Sequence, residues 1–164
     1  MINTNYIQEV YIKNKELDTE FEIKYLNTVD KYEEKNSISL TVEISELANE
    51  TKCFKYWSIK TMDIEKTKLE LADCIMMTLY RYNELKIEVI PTNLEEPNTD
   101  ILDTFNKLFQ LTSNLYGAKD IEVTNQILSN LIHIQKLLKI TDEECKKSCF
   151  DKINTVRERL YSNY

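Results

Sequence analysis

Apolar residues recur at three- and four-residue spacings along most of the chain, which is the period of amphipathic helices. In the first such stretch they occupy positions 7, 10, 11, 17, 21 and 25. The pattern predicts helices at about 4–31, 38–52, 64–88, 100–115, 119–139 and 142–160. The third stretch, which contains LADCIMMTLY, is apolar around much of its circumference, so we expect it at the centre of a bundle.

Glycine and proline are too scarce for a protein built on hairpins. The chain contains one glycine, Gly117, and two prolines, Pro91 and Pro97, whereas tight hairpin turns depend on such residues. Both prolines fall in the clearest loop, residues 90–99, and the run YEEKNS at 32–37 is predicted to separate the first two helices. The predicted fold class is all-α, an antiparallel helical bundle of about six helices with mostly short connections.

Residues that favour helix starts stand just before three of the predicted helices. Asp63 precedes the third helix and Thr99 the fourth, and such side chains accept a hydrogen bond from a backbone N–H of the first turn. Thr141 precedes the sixth helix with Glu144 three residues later, which is the arrangement of a capping box. These caps support the predicted starts of the three helices.

Length and composition indicate one domain spanning residues 1–164. A chain of this length can form a hydrophobic core. No stretch approaches the roughly 20 apolar residues that cross a bilayer, and the first residues do not resemble a signal peptide. We therefore expect a cytoplasmic protein with no membrane partner. The net charge of −7 argues against nucleic-acid binding, which relies on lysine and arginine to neutralise phosphates.

Two short carboxylate pairs lie on successive predicted helices. Glu43 and Glu46 are three residues apart, and Glu70 and Asp73 repeat that step on the next helix, so each pair projects from one face. Solvated faces are the ordinary explanation of such pairs. The apolar neighbours of the second pair argue against a solvated face, because carboxylates near a buried seam repel each other and lose hydration. Oxygen ligands on adjacent helices suit Mg²⁺, and Glu50 is expected to play a supporting or capping role.

The same residues resemble a known family. The stretch EISELANETKCFKYWS at 43–58, followed by LELAD at 69–73, is similar to the all-α nucleoside triphosphate pyrophosphatases, which include the MazG-like proteins, and in particular to the dimeric dUTPases. The family's E-x-x-E-L-A-N-E, aromatic-Lys-aromatic-Trp and E-x-x-D elements are matched in residue type, order and spacing. The resemblance is close over residues 43–73 and looser elsewhere.

The resemblance implies a Mg²⁺-dependent dUTP diphosphatase that produces dUMP and pyrophosphate through a metal-activated water. Glu43, Glu46, Glu70 and Asp73 would hold the Mg²⁺, and Glu46 would orient or deprotonate the water. In the family such sites form between two protomers. The apolar and tyrosine-bearing helix faces of this chain also suit an interface, so the expected assembly is a homodimer with a shared active site.

The C-terminal stretch DKINTVRERLYSNY resembles a family segment that contacts phosphates. The resemblance places Lys152, Asn154 and Arg157 there, with Tyr164 as the terminal tyrosine, and adds Lys55 from the aromatic segment. Arginine and lysine suit this role because they stabilise negative phosphoryl oxygens. The ordinary alternative is that the basic residues complement the dipole at the C-terminal end of a helix.

The resemblance also indicates residues that contact the nucleoside. Asn14 and Asp18 stand where the family has a Gln-x-x-x-Asp or Gln-x-x-x-Asn pair that reads uracil, and Phe54 and Trp57 would pack on the base or deoxyribose. A core aromatic pair is the alternative for the last two. Asparagine in place of glutamine departs from the family pattern and bears on base identity. Met76 stands where the family often has histidine, which removes no metal ligand.

Two other functions remain open on the sequence. The first is a related pyrophosphatase with another base preference, such as dCTP or another deoxynucleotide, which the Asn14 substitution motivates. The second is a catalytically weak helical module that acts through surface contacts with another protein. The complete set of four candidate metal ligands argues against the second.

Overall fold

In a computed structural model the chain is an all-helical bundle. The structure describes residues 2–115 and 119–162, and these contain six helices and no strand. The helices are α1 (Asn5–Tyr25), α2 (Tyr32–Thr51), α3 (Ile64–Glu84), α4 (Ile101–Ser113), α5 (Ile121–Leu137) and α6 (Asp142–Tyr161). The predicted all-α class is confirmed. No helix in the described ranges has both the length and the hydropathy needed to cross a bilayer.

The junction of the first two helices differs from the prediction. α1 ends at Tyr25 and α2 begins at Tyr32, so the predicted break at 32–37 lies inside α2. The turn is instead made by residues 26–31, which include asparagine, threonine and valine, all weak helix formers. Lys31 completes the turn in the left-handed region with φ of 54°. Two glutamates in the first turn of α2 complement the helix dipole, which favours the early start.

Two of the three predicted caps are confirmed. The Asp63 side chain accepts backbone N–H bonds of 3.1 and 3.2 Å from the first turn of α3. Thr141 and Glu144 form the predicted capping box of α6. The prediction for α4 is wrong, because the N-cap is Asp100 rather than Thr99. The Asp100 carboxylate takes the N–H bond, while the Thr99 hydroxyl pairs with another threonine hydroxyl at 2.9 Å.

α3 occupies the centre of the bundle, as its apolar circumference predicts. It packs against α1, α2, α5 and α6, and several of its large side chains are fully buried, among them Leu71, Ile75, Leu79 and Tyr82. Each such side chain contributes roughly 1.5–3 kcal/mol through burial. Because α3 lies against both α2 and α6, polar residues on its flanks meet side chains from either helix.

Candidate active site

Three glutamates converge between α2 and α3. Carboxylate oxygens of Glu43, Glu46 and Glu70 lie within 4.8 Å of one another. The first two project from one side of α2 because three residues nearly complete a helical turn, and the third comes from the adjacent helix. Glu46 is exposed and the other two are half-buried. We call these three residues the carboxylate cluster.

The negative charge of the carboxylate cluster is not fully balanced by nearby positive charge. Burial, followed by repulsion from Asp73 and Glu46, raises the pKa of Glu43 to about 7. Burial, followed by the charge of Asp73, also raises the pKa of Glu70. Carboxylates held this close are destabilising unless a cation joins them. Several hard oxygen ligands in one place suit Mg²⁺, so the residues present fit the ion that the sequence predicts.

Asp73, the fourth predicted ligand, lies beside the cluster and is paired with α6. Lys152 Nζ lies 2.5 Å from Asp73 Oδ2, and both side chains are largely buried. Burial raises the pKa of Asp73, and the hydrogen bond and charge of Lys152 oppose that rise. The lysine therefore brings a positive charge to the edge of the carboxylate cluster.

The two arginines near the end of α6 lie on different faces. Arg159 follows Lys152 by seven residues, which is about two turns, so the two share a face. The positive charge of Arg159 also opposes the burial-raised pKa of Asp73. Arg157 instead donates from Nε to Glu20 Oε1 of α1 at 3.0 Å. Of the two, Arg159 is the one whose charge acts on Asp73, and it is absent from the site residues predicted from the sequence.

A cavity of about 210 Å³ lies next to these residues, with walls from α1, α2, α3 and α6. Asn14 and Asp18 line it together with Glu43 and Asp73. The other lining residues are Leu17, Phe21, Tyr32, Asn36, Met76, Met77, Tyr80 and Val156. The predicted base-reading residues of α1 and two predicted metal ligands therefore meet at one cavity.

The polar pair on α1 is tied together and to α3. Asn14 Nδ2 donates to both carboxylate oxygens of Asp18, at 3.2 and 3.1 Å, and to the Met76 carbonyl at 3.2 Å. Burial, followed by the charge of Glu22, raises the pKa of Asp18 to about 8, although the Asn14 hydrogen bond lowers it. The raised pKa favours the protonated form of Asp18 at the wall of the cavity.

The aromatic segment after α2 lies elsewhere in the protomer. Phe54 lines a separate, largely apolar cavity of about 390 Å³ between α2 and α4. Its ring meets Trp57 edge to face with centroids 6.1 Å apart, and Trp57 is 64% exposed. Lys55 bonds to Asn49 and lies over the Phe54 ring. Within one protomer, neither of the two predicted aromatic residues lines the 210 Å³ cavity.

The remaining predicted residues lie outside the cavity. Asn154 is exposed and stands two residues from Lys152, on the opposite side of α6. Glu50 pairs with Lys52 at 3.6 Å. Tyr164 lies outside the described residues.

Helical spacing indicates some of the residues that line the 210 Å³ cavity but not others. Met77 and Tyr80 follow Asp73 by four and seven residues, so helical spacing places them on the same face of α3. Helical spacing indicates nothing comparable for Tyr32 and Asn36, because both fall in the stretch predicted to be a break between helices. Their contribution depends on the early start of α2.

The fold and the site define an all-helical protein with a carboxylate-rich site between adjacent helices. The family model described as dUTPase matches residues 6–164, which is nearly the whole chain. The chain belongs to this all-α dUTPase family, and the resemblance seen in the sequence is confirmed. Membership implies a hydrolase that acts on nucleoside triphosphates. No curated protein matches the sequence.

Proposed function

We propose that the protein is a Mg²⁺-dependent dUTP diphosphatase that hydrolyses dUTP to dUMP and pyrophosphate. The observation that carries this proposal is the convergence of Glu43, Glu46 and Glu70 beside the Asp73–Lys152 pair. The cluster adjoins a cavity that also contains Asn14 and Asp18. Family membership supplies the reaction class.

The residues of the cluster, together with Asp73, have distinct roles in this proposal. Glu43, Glu46, Glu70 and Asp73 would hold Mg²⁺, which supplies positive charge for the triphosphate and lowers the pKa of water beside it. Glu46 is the exposed member of the cluster, so its carboxylate is the one best placed to orient the attacking water and accept its proton.

The phosphate groups require positive charge from the protein as well. Lys152 lies at the edge of the cluster, where it stabilises phosphoryl oxygens once it exchanges Asp73 for substrate. Arg159 shares its helix face and adds to this charge. The family resemblance assigns the same role to Asn154, Arg157 and Lys55. For Arg157 that requires release from Glu20.

A homodimer with a shared active site accounts for the position of the aromatic segment. Phe54 and Trp57 lie away from the cavity of their own protomer, and Tyr56 and Ile59 are 94% and 101% exposed. Large apolar side chains that are this exposed mark contact surfaces. In a two-fold dimer the segment of one protomer can reach the nucleoside bound by its partner.

A pyrophosphate-release assay with purified protein, dUTP and Mg²⁺ tests the proposal. We expect release in Mg²⁺ and none in chelator, and Glu46→Gln should lower kcat by at least about 100-fold. Glu34→Gln, a carboxylate substitution on the same helix outside the cluster, is the matched control and should retain parental activity. Absence of release from every deoxynucleoside triphosphate would refute the proposal.

A related pyrophosphatase with another base preference is the second candidate. The observation that favours it is that Asn14, which lines the cavity with Asp18, stands where the family has glutamine. The assay separates the two candidates when dCTP and the other deoxynucleotides are run beside dUTP.

A further inference from the structure

One carboxylate of α1 joins that helix to the last turns of α6. Glu20 accepts from Arg157 Nε at 3.0 and 3.3 Å and from the Tyr161 hydroxyl at 2.9 Å. The two donors are four residues apart, so they lie on the same face of α6. We call Glu20, Arg157 and Tyr161 the clasp. It contacts α6 near its C-terminal end, which is Tyr161 itself.

A second link from α1 holds the same end of α6. Lys24 follows Glu20 by four residues on α1, and its Nζ donates to the Leu160 carbonyl at 2.6 Å. The last carbonyls of a helix have no partner within the helix, and helix ends fray. The clasp and the Lys24 bond therefore fix the position of a turn where fraying is expected.

The turn that the clasp holds also carries Arg159. This arginine lies between the two donors of the clasp in the sequence, on the helix face that it shares with Lys152. Its charge acts on Asp73, beside the carboxylate cluster. Residues two apart on a helix point to different sides, so the clasp contacts α1 while Arg159 lies on the side of the cluster. A shift of this turn would displace Arg159 from the cluster.

Arg157 is engaged with α1 on a different side of α6 from Lys152. Its Nε donates to both oxygens of Glu20, and its Nη2 lies 3.8 Å from Glu16 Oε2. Arg157 follows Lys152 by five residues, which is well away from a whole number of helical turns. A phosphate contact from Arg157 would require both release from Glu20 and a rotation of α6.

We infer that Glu20 is a positioning residue for the phosphate-binding face of α6, and that Arg157 acts through Glu20 rather than by contact with phosphate. The inference rests on the proposed diphosphatase function, in which Lys152 and Arg159 stabilise the phosphoryl oxygens. It assigns Arg157 a different role from the one that the family resemblance implies.

A double-substitution cycle of Glu20→Gln and Arg157→Gln tests the inference, with KM and kcat for dUTP as the readouts. We expect each single substitution to raise KM by at least about fivefold and to change kcat by less than about twofold, because the carboxylates that would hold Mg²⁺ lie on α2 and α3. The double variant should match each single variant within about twofold, since both substitutions break the same contact.

A phosphate-binding Arg157 predicts a different result. In that case Glu20→Gln frees the arginine, so KM falls or stays the same, whereas Arg157→Gln raises it. Charge alone also predicts a lower KM for Glu20→Gln, because the substitution removes a negative charge from a protein that binds an anion. An unchanged or lower KM in Glu20→Gln, or additive effects in the double variant, overturns the inference.

Glu9→Gln is the matched control. The Glu9 carboxylate lies 3.5 Å from Lys146 Nζ of α6, so this substitution also breaks an ion pair between α1 and α6, about three turns from Glu20. It should keep the parental KM, and an equal rise in KM would overturn the inference. If Glu20→Gln lowers the melting temperature and leaves KM unchanged, Glu20 supports the fold alone and is not a positioning residue.

Binding of inorganic triphosphate in the presence of Mg²⁺, measured by calorimetry, applies the same cycle without catalysis. We expect the parent to bind, and Kd to rise by at least about fivefold in both single variants with no further rise in the double variant. A parent that does not bind triphosphate overturns the inference. Pyrophosphate release from dUTP without this coupling overturns the inference and leaves the proposed function standing. Coupled losses of binding without release from any deoxynucleoside triphosphate refute the proposed function and leave the role of Glu20 in place.

Discussion

Glu43 shows at the scale of one residue how a binding site can reduce the stability of a fold. Its folded pKa of about 7 lies above its ordinary value of 4.5, so the folded state loses stability as pH rises through that range. Glu43→Gln removes this penalty. We expect the variant to be more stable than the parent at pH 8 in chelator, by about 1–2 kcal/mol after allowance for solvent screening. Urea denaturation at pH 8 and pH 5 measures the difference, which should shrink at pH 5.

The Mg²⁺ response completes the Glu43 test. Parent protein should gain thermal stability on addition of Mg²⁺ at pH 8, because a ligand that binds only the folded state stabilises it. Glu43→Gln should lose most of that gain, whereas Glu34→Gln, although it removes a charge that favours the start of α2, should keep the parental gain on addition of Mg²⁺. If Glu43→Gln is less stable than the parent in chelator, repulsion and burial of the Glu43 carboxylate do not destabilise the fold.

Substitution of Lys152 should lower the stability of the protein in chelator, whereas substitution of Glu43 should raise it. The Lys152 ammonium is the closest described positive charge to Asp73, at 2.5 Å, and Lys152→Met leaves that carboxylate unpaired in a largely buried place. We expect a loss of about 1–3 kcal/mol in chelator and a larger gain on addition of Mg²⁺ than the parent shows. Lys147→Met on the same helix breaks only an exposed pair and should cost less than about 1 kcal/mol. Equal losses in the two variants would contradict this account.

At the scale of the helix, the Asp63 cap of α3 has a measurable effect on stability. Its side chain accepts two first-turn N–H bonds at the start of the helix that carries Glu70 and Asp73. Asp63→Ala should lower the free energy of unfolding by about 1 kcal/mol, and Asp63→Asn, which keeps the acceptor, should lose much less. Urea denaturation of the three proteins measures both values. A similar loss in both variants would mean that the charge rather than the hydrogen bond stabilises the helix.

The helices were predictable from periodicity wherever an apolar stripe meets the core. α3 is buried around much of its circumference, and its apolar residues predict the central position that it occupies. The start of α2 was not predictable in the same way, because the residues from 32 to 37 are mostly polar and Ser37 is their one buried member. Polar side chains set that boundary through the helix dipole, which leaves no apolar signal.

The candidate site also has a part that helical spacing predicts and a part that it does not. The convergence of the cluster could be predicted, since helical spacing puts Glu43 and Glu46 on one face of α2 and α3 is the next helix along the chain. The same rule separates Arg157 from Lys152, but the family resemblance directed attention to Arg157. The aromatic segment has no helical period, so neither its exposure nor its distance from the cavity could be predicted from the sequence.

At the scale of the whole molecule, α2 and α4, which pack together, and the segment after α2 expose large apolar side chains. These are Ile38, Val42, Phe54, Trp57, Ile59, Leu102 and Phe109. Three of them, Phe54, Leu102 and Phe109, line one apolar cavity. An apolar region of this kind suits association with an identical surface better than exposure to water. A homodimer would bury the region and add an aromatic segment to each active site.

Mixing two inactive variants tests whether the active site is shared. Glu46→Gln disables the carboxylate cluster and Trp57→Ala disables the aromatic segment that the partner would supply. In a mixed dimer, one of the two sites has both defects and the other has neither. Because random mixing makes about half of the dimers mixed, the pyrophosphate-release assay should recover about a quarter of parental activity. Mixtures that stay as inactive as their components, although ultracentrifugation shows dimers that exchange subunits, would place each complete site within one protomer.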